Sequence, residues 1–325
     1  MPLVTNYYQS LIDIGLFLFF VVGAKVIILF TIRGEKPSVL RSRYLLWMGF
    51  GAWWFLSAIE QIFPWAVMTN THQLIDTMYA LQPAWLVGVF RPVAIIWTAQ
   101  PVTWNIVFVV FQFLVAIMLL TERENIAGWI TLLLATLFSL ATWVATEALG
   151  QVASPRLSIV SGSPGAGFVA ALVGVLLLVH PDVWKQRKIV VHLRHTIAIF
   201  YALAAVIQLR PRFWTEGIAI LFDHSPYRPW EQILSPAIRV MQGGASYVNA
   251  LIVLLLAVLA ILLWKNVSHA WIVVVSAILL LFCWIFGQNM GLQIAMGGNL
   301  NTAPLVFLLT MIVIDDPFRT VKRRY

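Results

Sequence analysis

Long apolar runs, separated by short polar clusters, are the main pattern of this sequence. Nine of the runs approach the roughly 20 residues that a helix needs to cross the hydrocarbon core of a bilayer. The runs that begin at 166, 194 and 303 are short, so we expect flanking residues to extend them. The pattern predicts an all-α, polytopic transmembrane helical bundle, with spans at about 12–32, 45–68, 102–121, 127–149, 166–180, 194–209, 246–265, 269–290 and 303–315.

Polar and proline positions of the first half of the chain recur in the second half in the same order. The segment SAIEQIFP at 57–64 is matched by AAVIQLRP at 204–211, and TEALG at 146–150 is matched by GQNMG at 287–291. So many ordered coincidences indicate a duplicated unit. The other matched pairs are Pro92 and Pro236, Asn105 and Asn249, Trp129 and Trp271, Trp143 and Trp284, and Pro164 and Pro304.

Each copy of the unit contains four of the predicted spans. An even number of spans returns the chain to its starting side, so the copies should be parallel repeats related by a pseudo-twofold axis along the membrane normal. The first span lies outside the repeat. This organisation predicts an N-terminal helix and basic loop (1–44), a first four-helix repeat (45–180), a basic linker (181–193) and a second four-helix repeat with a basic tail (194–325).

Lysine and arginine concentrate in three segments, 33–44, 181–195 and 315–325, which nine spans place on one side of the membrane. The positive-inside rule makes that side cytoplasmic, so we expect the N-terminus outside and the C-terminus inside. The two outer segments, 69–101 and 210–245, mix Trp, Pro and Arg with aliphatic residues. They are typical of short helices in the membrane interface or of packed loops, and either form could dock a partner protein.

The composition points to a bilayer and disfavours several kinds of site. Hydrophobic residues make up 61% of the 325 residues and charged residues only 10%, unlike the balance of a soluble domain. The net charge of +8 comes from clusters that flank the spans, so it does not indicate nucleic-acid binding. One cysteine, Cys283, cannot form an intrachain disulfide, and the histidines lie at span borders or in outer segments, which disfavours haem and metal sites.

Polar residues inside the predicted spans gather near one depth, toward the outer leaflet. Two are acidic, Glu60 and Glu147, where the second half has Ile207 and Gln288. Ionisable groups within a membrane are rare and often functional, so we expect an outward-facing cavity that binds a small ligand. The candidate ligand-binding residues are Glu60, Gln61, Glu147, Gln208, Gln288, Asn289, Asn105 and Asn249.

A structural role explains the same residues without a ligand. Glutamine and asparagine commonly join transmembrane helices by hydrogen bonds, and Glu60 and Glu147 could lie at the headgroup level, where charge costs less. The glycine-rich segment SGSPGAG at 161–167 also has two interpretations. Its backbone amides could face a ligand, or it could break the chain before the next helix.

The helix LLWMGFGAWWFLSAIEQIFP at 45–64, followed by an interfacial segment, resembles the opening of the DoxX-type membrane fold, as does RHTIAIFYALAAVIQLRPRFW at 194–214. The segments TEALG and SGSPGAG resemble a pattern in uncharacterised bacterial polytopic proteins. The resemblance covers residues 45–315 as two tandem units and implies a multi-pass protein of the bacterial plasma membrane. It also implies an association with quinone-linked sulfur oxidation or redox-stress complexes, which makes a quinone one candidate ligand.

Three functional hypotheses remain open at this point. The first is a DoxX-like protein that binds a quinone or another small amphipathic molecule near the outer leaflet and works with membrane redox or envelope machinery. The second is a transporter with Glu60 and Glu147 as proton- or cation-coupling groups, since internal repeats are common in transporters. The third is a non-catalytic scaffold or assembly subunit of a membrane complex, with segments 69–101 and 210–245 as docking surfaces.

Overall fold

Helices make up almost all of the chain that the computed structural model describes. The predicted span at 12–32, residue Asn289 and large parts of the two outer segments lie outside the described residues. The described residues are 39–62, 83–121, 125–147, 149–152, 157–215, 228–288, 301–314 and 320–321.

Five helices form the first half of the described chain, and seven form the second half. The helices of the first half are α1 (Arg41–Ile62), α2 (Ala84–Ala99), α3 (Pro101–Thr121), α4 (Ile126–Ala145) and α5 (Ala166–Leu178). Those of the second half are α6 (Pro181–Trp184), α7 (Arg187–Gln208), α8 (Pro211–Thr215), α9 (Arg228–Gly243), α10 (Ala245–Trp264), α11 (Ala270–Phe282) and α12 (Thr302–Ile314). A 3₁₀ turn at Leu149–Gln151 follows α4, and a π-helical turn at Cys283–Gly287 continues α11.

Five helical segments among the described residues are long and apolar enough to cross a membrane. Large apolar side chains on their outer faces are exposed, among them Val107, Leu134, Leu254 and Ile278. Faces of this kind suit contact with lipid tails, so the chain is a multi-pass membrane protein. The five segments are Pro101–Thr121, Ile126–Ala145, Ile189–Gln208, Ala245–Trp264 and Ala270–Gly287.

The expected extension of the short spans is confirmed for α7 and wrong for α5, and for α12 the chain directly after Ile314 lies outside the described residues. Helix α7 begins at Arg187 and has 22 residues, so the first turns of this helix take up much of the predicted linker. Helix α5 has only 13 residues, about 20 Å at 1.5 Å per residue, which is shorter than the hydrocarbon core of a bilayer. The first residues of α5 and α12, Ala166 and Thr302, are both buried, so both helices begin inside the bundle rather than at its surface.

Helices α5 and α12 occupy the centre of the bundle. Helix α5 packs against α4 and α1, and α12 packs against α11, α7, α1 and α5. The contact between α1 and α12 is close because Gly49 leaves room for Leu308; a Cβ at Gly49 would lie 2.6 Å from Leu308 Cδ1. The contacts of α12 with α1 and α5 join the two halves through one continuous apolar core.

Two arginines near the starts of α1 and α7 are buried, although their sequence context places them among the membrane-flanking charges. Arg43 Nη1 donates to the carbonyl oxygen of Val179 at 2.9 Å, directly after α5 ends. Arg194 donates to the carbonyl oxygen of Val313 on α12 through Nε, at 3.1 Å, and through Nη2, and Nη1 donates to Asn266 O at 3.1 Å. In each half, an arginine thus satisfies carbonyl groups at the end of the last helix, where positive charge is favoured.

A two-stranded antiparallel pair joins the segments before α1 and after α12. Strand β1 (Val39–Leu40) pairs with strand β2 (Thr320–Val321), with Val39 opposite Val321. Two-residue strands have no recognisable sequence pattern, so this pairing was not predicted. It holds residues 39–40 and 320–321 together, at the same end of the bundle as Arg43 and Arg194. We call this the basic end, and the opposite end the amide end.

Residues 157–165, directly before α5, contact the second half, and we call them the crossing loop. Its contacts with the second half are side chain to backbone and side chain to side chain: Ser158 Oγ donates to Gln208 Oε1 at 2.7 Å, and Gln288 Nε2 donates to Ile159 O at 3.1 Å. Thr302 Oγ1 donates to Gly162 O. The loop therefore links the two halves by hydrogen bonds.

The loop backbone also lies directly against the π-helical turn that follows α11. A Cβ placed on Gly287 would be 2.0 Å from the carbonyl oxygen of Val160 and 2.8 Å from its carbonyl carbon. These are backbone atoms, which cannot rotate away as the end of a side chain can. Glycine at 287 is therefore required for the two halves to approach at this point.

We expect Gly287→Ala to lower the free energy of unfolding by about 1–3 kcal/mol, since the added methyl overpacks a contact between two backbones. Equilibrium unfolding in mixed detergent micelles, followed by tryptophan fluorescence, measures the change. Gly88→Ala in α2 is the matched control, because a Cβ there meets nothing within 4 Å. Equal stability of the two variants would contradict the close packing of the crossing loop.

Candidate functional site

The structure describes seven of the eight predicted site residues and joins them mainly in pairs. Glutamines at the ends of α1 and α7 bond to asparagines near the starts of α3 and α10. Glu147 and Gln288 bind backbone N–H groups at the starts of α5 and α12. Glu60 takes part in neither kind of hydrogen bond within the described residues. Asn289 lies outside the described residues.

Two amide pairs connect the first long helix of each half to the helix that runs antiparallel to it. Gln61 Nε2 donates to Asn105 Oδ1, and Asn105 Nδ2 donates to Gln61 O at 3.0 Å. In the second half, Gln208 Nε2 donates to Asn249 Oδ1 at 2.8 Å, and Asn249 Nδ2 donates to Gln208 O at 3.1 Å. All four side chains are buried, so these amides act as the helix-joining groups of the structural interpretation.

The second amide pair has an additional partner in the first half. Ser158, in the crossing loop, donates to Gln208 Oε1 at 2.7 Å. Gln208 thus accepts a bond from one half and donates a bond within the other. Sequence reasoning missed Ser158, because a serine in a loop of uncertain path carries no signal for a partner fifty residues away.

Glu147 serves as an acceptor for the start of α5. Both of its carboxylate oxygens accept from Gly167 N, at 2.9 and 3.0 Å, and the residue is 1% exposed. Gly167 is the second residue of α5, where a helix has N–H groups without an intrahelical partner and favours negative charge. Gly165 allows this approach, since its φ is +103° and a Cβ there would lie 2.3 Å from Glu147 Oε2.

Gln288 has the same role at the start of α12. Its Oε1 accepts from Ala303 N, the second residue of α12, at 3.1 Å, while its Nε2 donates to the crossing loop. Asn301 Nδ2 donates to Gln288 O at 3.0 Å. The acidic residue of the first half and the amide of the second half therefore perform one function, which is to bind the N–H group of the second residue of a buried helix start.

Glu60 is the one predicted site residue whose polar atoms have no hydrogen-bond partner in the described structure. It is 7% exposed, and neither carboxylate oxygen is bonded within the described residues. Glu60 lies on the same face of α1 as Ser57 and Trp53, one and two helical turns away. Trp53 Nε1 donates to Asn301 O at 3.4 Å, so this face is turned toward the second half.

Unsatisfied buried groups within the described residues are confined to the first half. Trp54 Nε1, Gln112 Oε1 and Ser163 Oγ join the Glu60 oxygens in having no partner there, whereas the described second half contains no such atom. Sequence reasoning did not single out Trp54 or Gln112. The signal for Gln112 was available, since it is an amide in the middle of the apolar run of α3.

We expect Gln208→Leu to destabilise the protein more than Gln61→Leu. Each variant removes the side-chain donor to Oδ1 of a buried asparagine, at about 1–3 kcal/mol, but Gln208→Leu also removes the acceptor of Ser158. Unfolding in mixed micelles measures both. A smaller loss for Gln208→Leu than for Gln61→Leu would contradict the bond between the halves.

Glu147→Gln should be tolerated, because Gln288 performs the same capping with an amide oxygen. Glu147→Leu removes the acceptor and should cost about 1–2 kcal/mol, the range for a lost helix cap. Comparison of the two variants by thermal unfolding in detergent separates the loss of the acceptor from the loss of the charge. An equal and large loss for both would mean that the negative charge itself is required.

Comparison with known proteins adds no family assignment to this geometry: no protein-family model, no curated protein and no solved structure matches the chain.

Proposed function

We propose that this chain is a DoxX-like membrane protein that binds a quinone, or another small amphipathic molecule with a carbonyl group, through Glu60. The observation that carries the proposal is the burial of this carboxyl group with no partner among the described residues. A charge at such a position costs several kcal/mol unless a proton, a cation or a ligand compensates it. A residue of this kind is a functional candidate by default.

The surroundings of Glu60 suit a flat, mostly apolar ligand. Trp53 and Ser57 share its face of α1, and both are buried. A protonated carboxyl group donates one hydrogen bond, and a quinone carbonyl accepts one, while its ring can lie against an indole. The corresponding position of the second half is Ile207, which has no polar group to offer, so one ligand per chain is expected.

The proposed architecture is the one that the sequence predicts, with nine spans, two parallel four-helix repeats and a cytoplasmic basic end. Three sets of matching features support the repeat. Helices α2 and α9 each have 16 residues with proline at the ninth position. The two amide pairs have the same reciprocal bonds, and Glu147 and Gln288 bind the second residue of α5 and α12. The strand pair between the chain segments at the basic end supports their common side.

Proton- or cation-coupled transport is the second candidate, and the same carboxyl group favours it. A carboxylate can release and rebind a proton or hold a cation, which an amide cannot do. Helices that begin inside the bundle, as α5 and α12 do, are also a feature of transporters. In this chain, however, the start of α5 is already occupied by Glu147. Transport would therefore depend on Glu60 alone.

Two substitutions at Glu60 separate these functions. We expect decylubiquinone to quench the tryptophan fluorescence of the protein in lipid nanodiscs with saturation. Glu60→Ile, which copies the second half, should weaken binding about tenfold or more, since it removes the hydrogen bond to the carbonyl. Glu60→Gln should keep most of the affinity, because an amide N–H can still donate to a carbonyl oxygen.

The control for this titration is Glu147→Gln, which also replaces a buried glutamate by glutamine but leaves a capping group in place. Equal quenching by decylubiquinone in the wild type and in Glu60→Ile would refute the quinone site. Loss of pH-driven ion or proton uptake in liposomes by Glu60→Gln would establish the coupling function instead. If neither variant changes binding or uptake, while a partner protein is retained in mild detergent, the scaffold hypothesis takes their place.

A further inference from the structure

Helices α1 and α3 are antiparallel and face each other in three layers, with successive layers seven residues apart along each helix. The amide pair of the first half forms one outer layer. In the other outer layer, Trp47 Nε1 donates to the carbonyl oxygen of Leu119 at 2.7 Å. Trp54 is seven residues from both α1 positions, and Gln112 is seven residues from both α3 positions, so these two residues form the middle layer.

The middle layer has a donor and an acceptor that the described residues do not satisfy. Trp54 is 2% exposed and its Nε1–H has no acceptor there, while Gln112 is 5% exposed and its Oε1 has no donor. Hydrogen bonds between α1 and α3 in both outer layers hold the helices at this spacing. One bridging group could therefore satisfy both atoms of the middle layer.

Aromatic rings surround the indole of Trp54. The indole of Trp54 lies 6.1 Å from the ring of Phe111 and 5.8 Å from that of Phe138, and the two phenylalanine rings stack at 4.4 Å. Phe50 adds a third ring at 6.1 Å from Trp54. A free ion would be poorly solvated among these rings, whereas a small neutral group would pack against them.

The second half closes the same layer without an additional group. Tyr201 lies seven residues before Gln208, and Leu256 lies seven residues after Asn249. Tyr201 Oη is hydrogen-bonded to Thr310 Oγ1 at 2.9 Å, and Leu256 has no polar side-chain atom. The unsatisfied donor and acceptor are thus specific to the α1–α3 pair, since the corresponding positions of α7 and α10 have none.

We propose that the Trp54–Gln112 layer is a binding site for one hydroxyl group, which accepts from Trp54 Nε1–H and donates to Gln112 Oε1. A hydroxyl is the smallest neutral group that can accept and donate at once. Water and the hydroxyl of a small amphipathic molecule share this chemistry. The site is independent of Glu60, which lies about 120° around α1 from Trp54 at 3.6 residues per turn.

The test uses the full chain in lipid nanodiscs, labelled with 5-fluorotryptophan and observed by ¹⁹F NMR. The Trp54 resonance is assigned by its loss in Trp54→Phe. The solvent is changed from H₂O to D₂O in one experiment, and 1-decanol is titrated in another, with decane as the probe that lacks a hydroxyl. Gln112→Leu, which copies Leu256 of the second half, removes the acceptor.

A bound water predicts an isotope shift at the buried Trp54 that disappears in Gln112→Leu and no difference between decanol and decane. A hydroxyl of an amphipathic ligand predicts a saturable shift with decanol, none with decane, and loss of that shift in Gln112→Leu. A Trp54 resonance that responds to neither solvent nor decanol overturns the proposal. The proposal is also overturned if the Trp54 resonance responds to Gln112→Leu but to neither solvent nor decanol, since that pattern indicates a direct bond between the two side chains.

A second variant keeps the test valid if Gln112→Leu folds poorly. Gln112→Met keeps an unbranched side chain of similar length and lacks the carboxamide, so it should reproduce the loss of response. For Trp54, an alternative assignment uses the ring contact with Phe138, because Phe138→Leu should move this resonance through the lost aromatic neighbour.

Discussion

Every polar group that a membrane protein buries must find its partner within the protein, and the buried starts of α5 and α12 make this requirement decisive here. The first N–H groups of each helix have no acceptor within the helix, and lipid tails offer none. The protein brings Glu147 to one start and Gln288 to the other. To reach these positions, the chain must turn inside the bundle, which explains the π-helical turn after α11 and the glycine-rich backbone before α5.

The two halves differ in whether their buried polar side chains have hydrogen-bond partners among the described residues. In the second half, Tyr201 and the buried amides find partners within the described structure. In the first half, Glu60, Trp54 and Gln112 do not. A buried polar group without a partner is a cost to stability, and such costs are usually retained where a site has a function. The difference between the halves, rather than their similarity, therefore locates the region in which binding should be sought.

Hydropathy predicts the long helices well because their apolar runs match the thickness of a bilayer. Residues 102–121 and 246–265, for example, differ from α3 and α10 by at most one residue at either end. The short helices were harder to predict, since a hydropathy average cannot distinguish a full span from a short helix that begins after a buried loop. Charge counting failed in a related way for Arg43 and Arg194, because it assumes that a basic residue at a span border faces water, and these two cap helix ends.

The candidate site was predicted as a set of residues, but not as an arrangement. Polarity within apolar runs correctly identified Gln61, Gln208, Glu147 and Gln288 as unusual, and all of them are buried. Their use as joining and capping groups depends on which backbone groups lie opposite, and that depends on the path of the crossing loop. Trp54 was overlooked for a different reason: tryptophan is common at lipid interfaces, so its indole N–H does not stand out until its surroundings are known.

The crossing loop has a consequence for the order in which the protein is made. Residues 157–165 are synthesised before α7, α11 and α12. They supply bonding partners to Gln208 at the end of α7, to Gln288 after the π-helical turn and to Thr302 at the start of α12. The first half must therefore remain beside the growing chain as each later helix enters the bilayer, acting as a template for it. A second half that inserted alone would have to hold these three side chains in hydrocarbon without the partners that the crossing loop supplies.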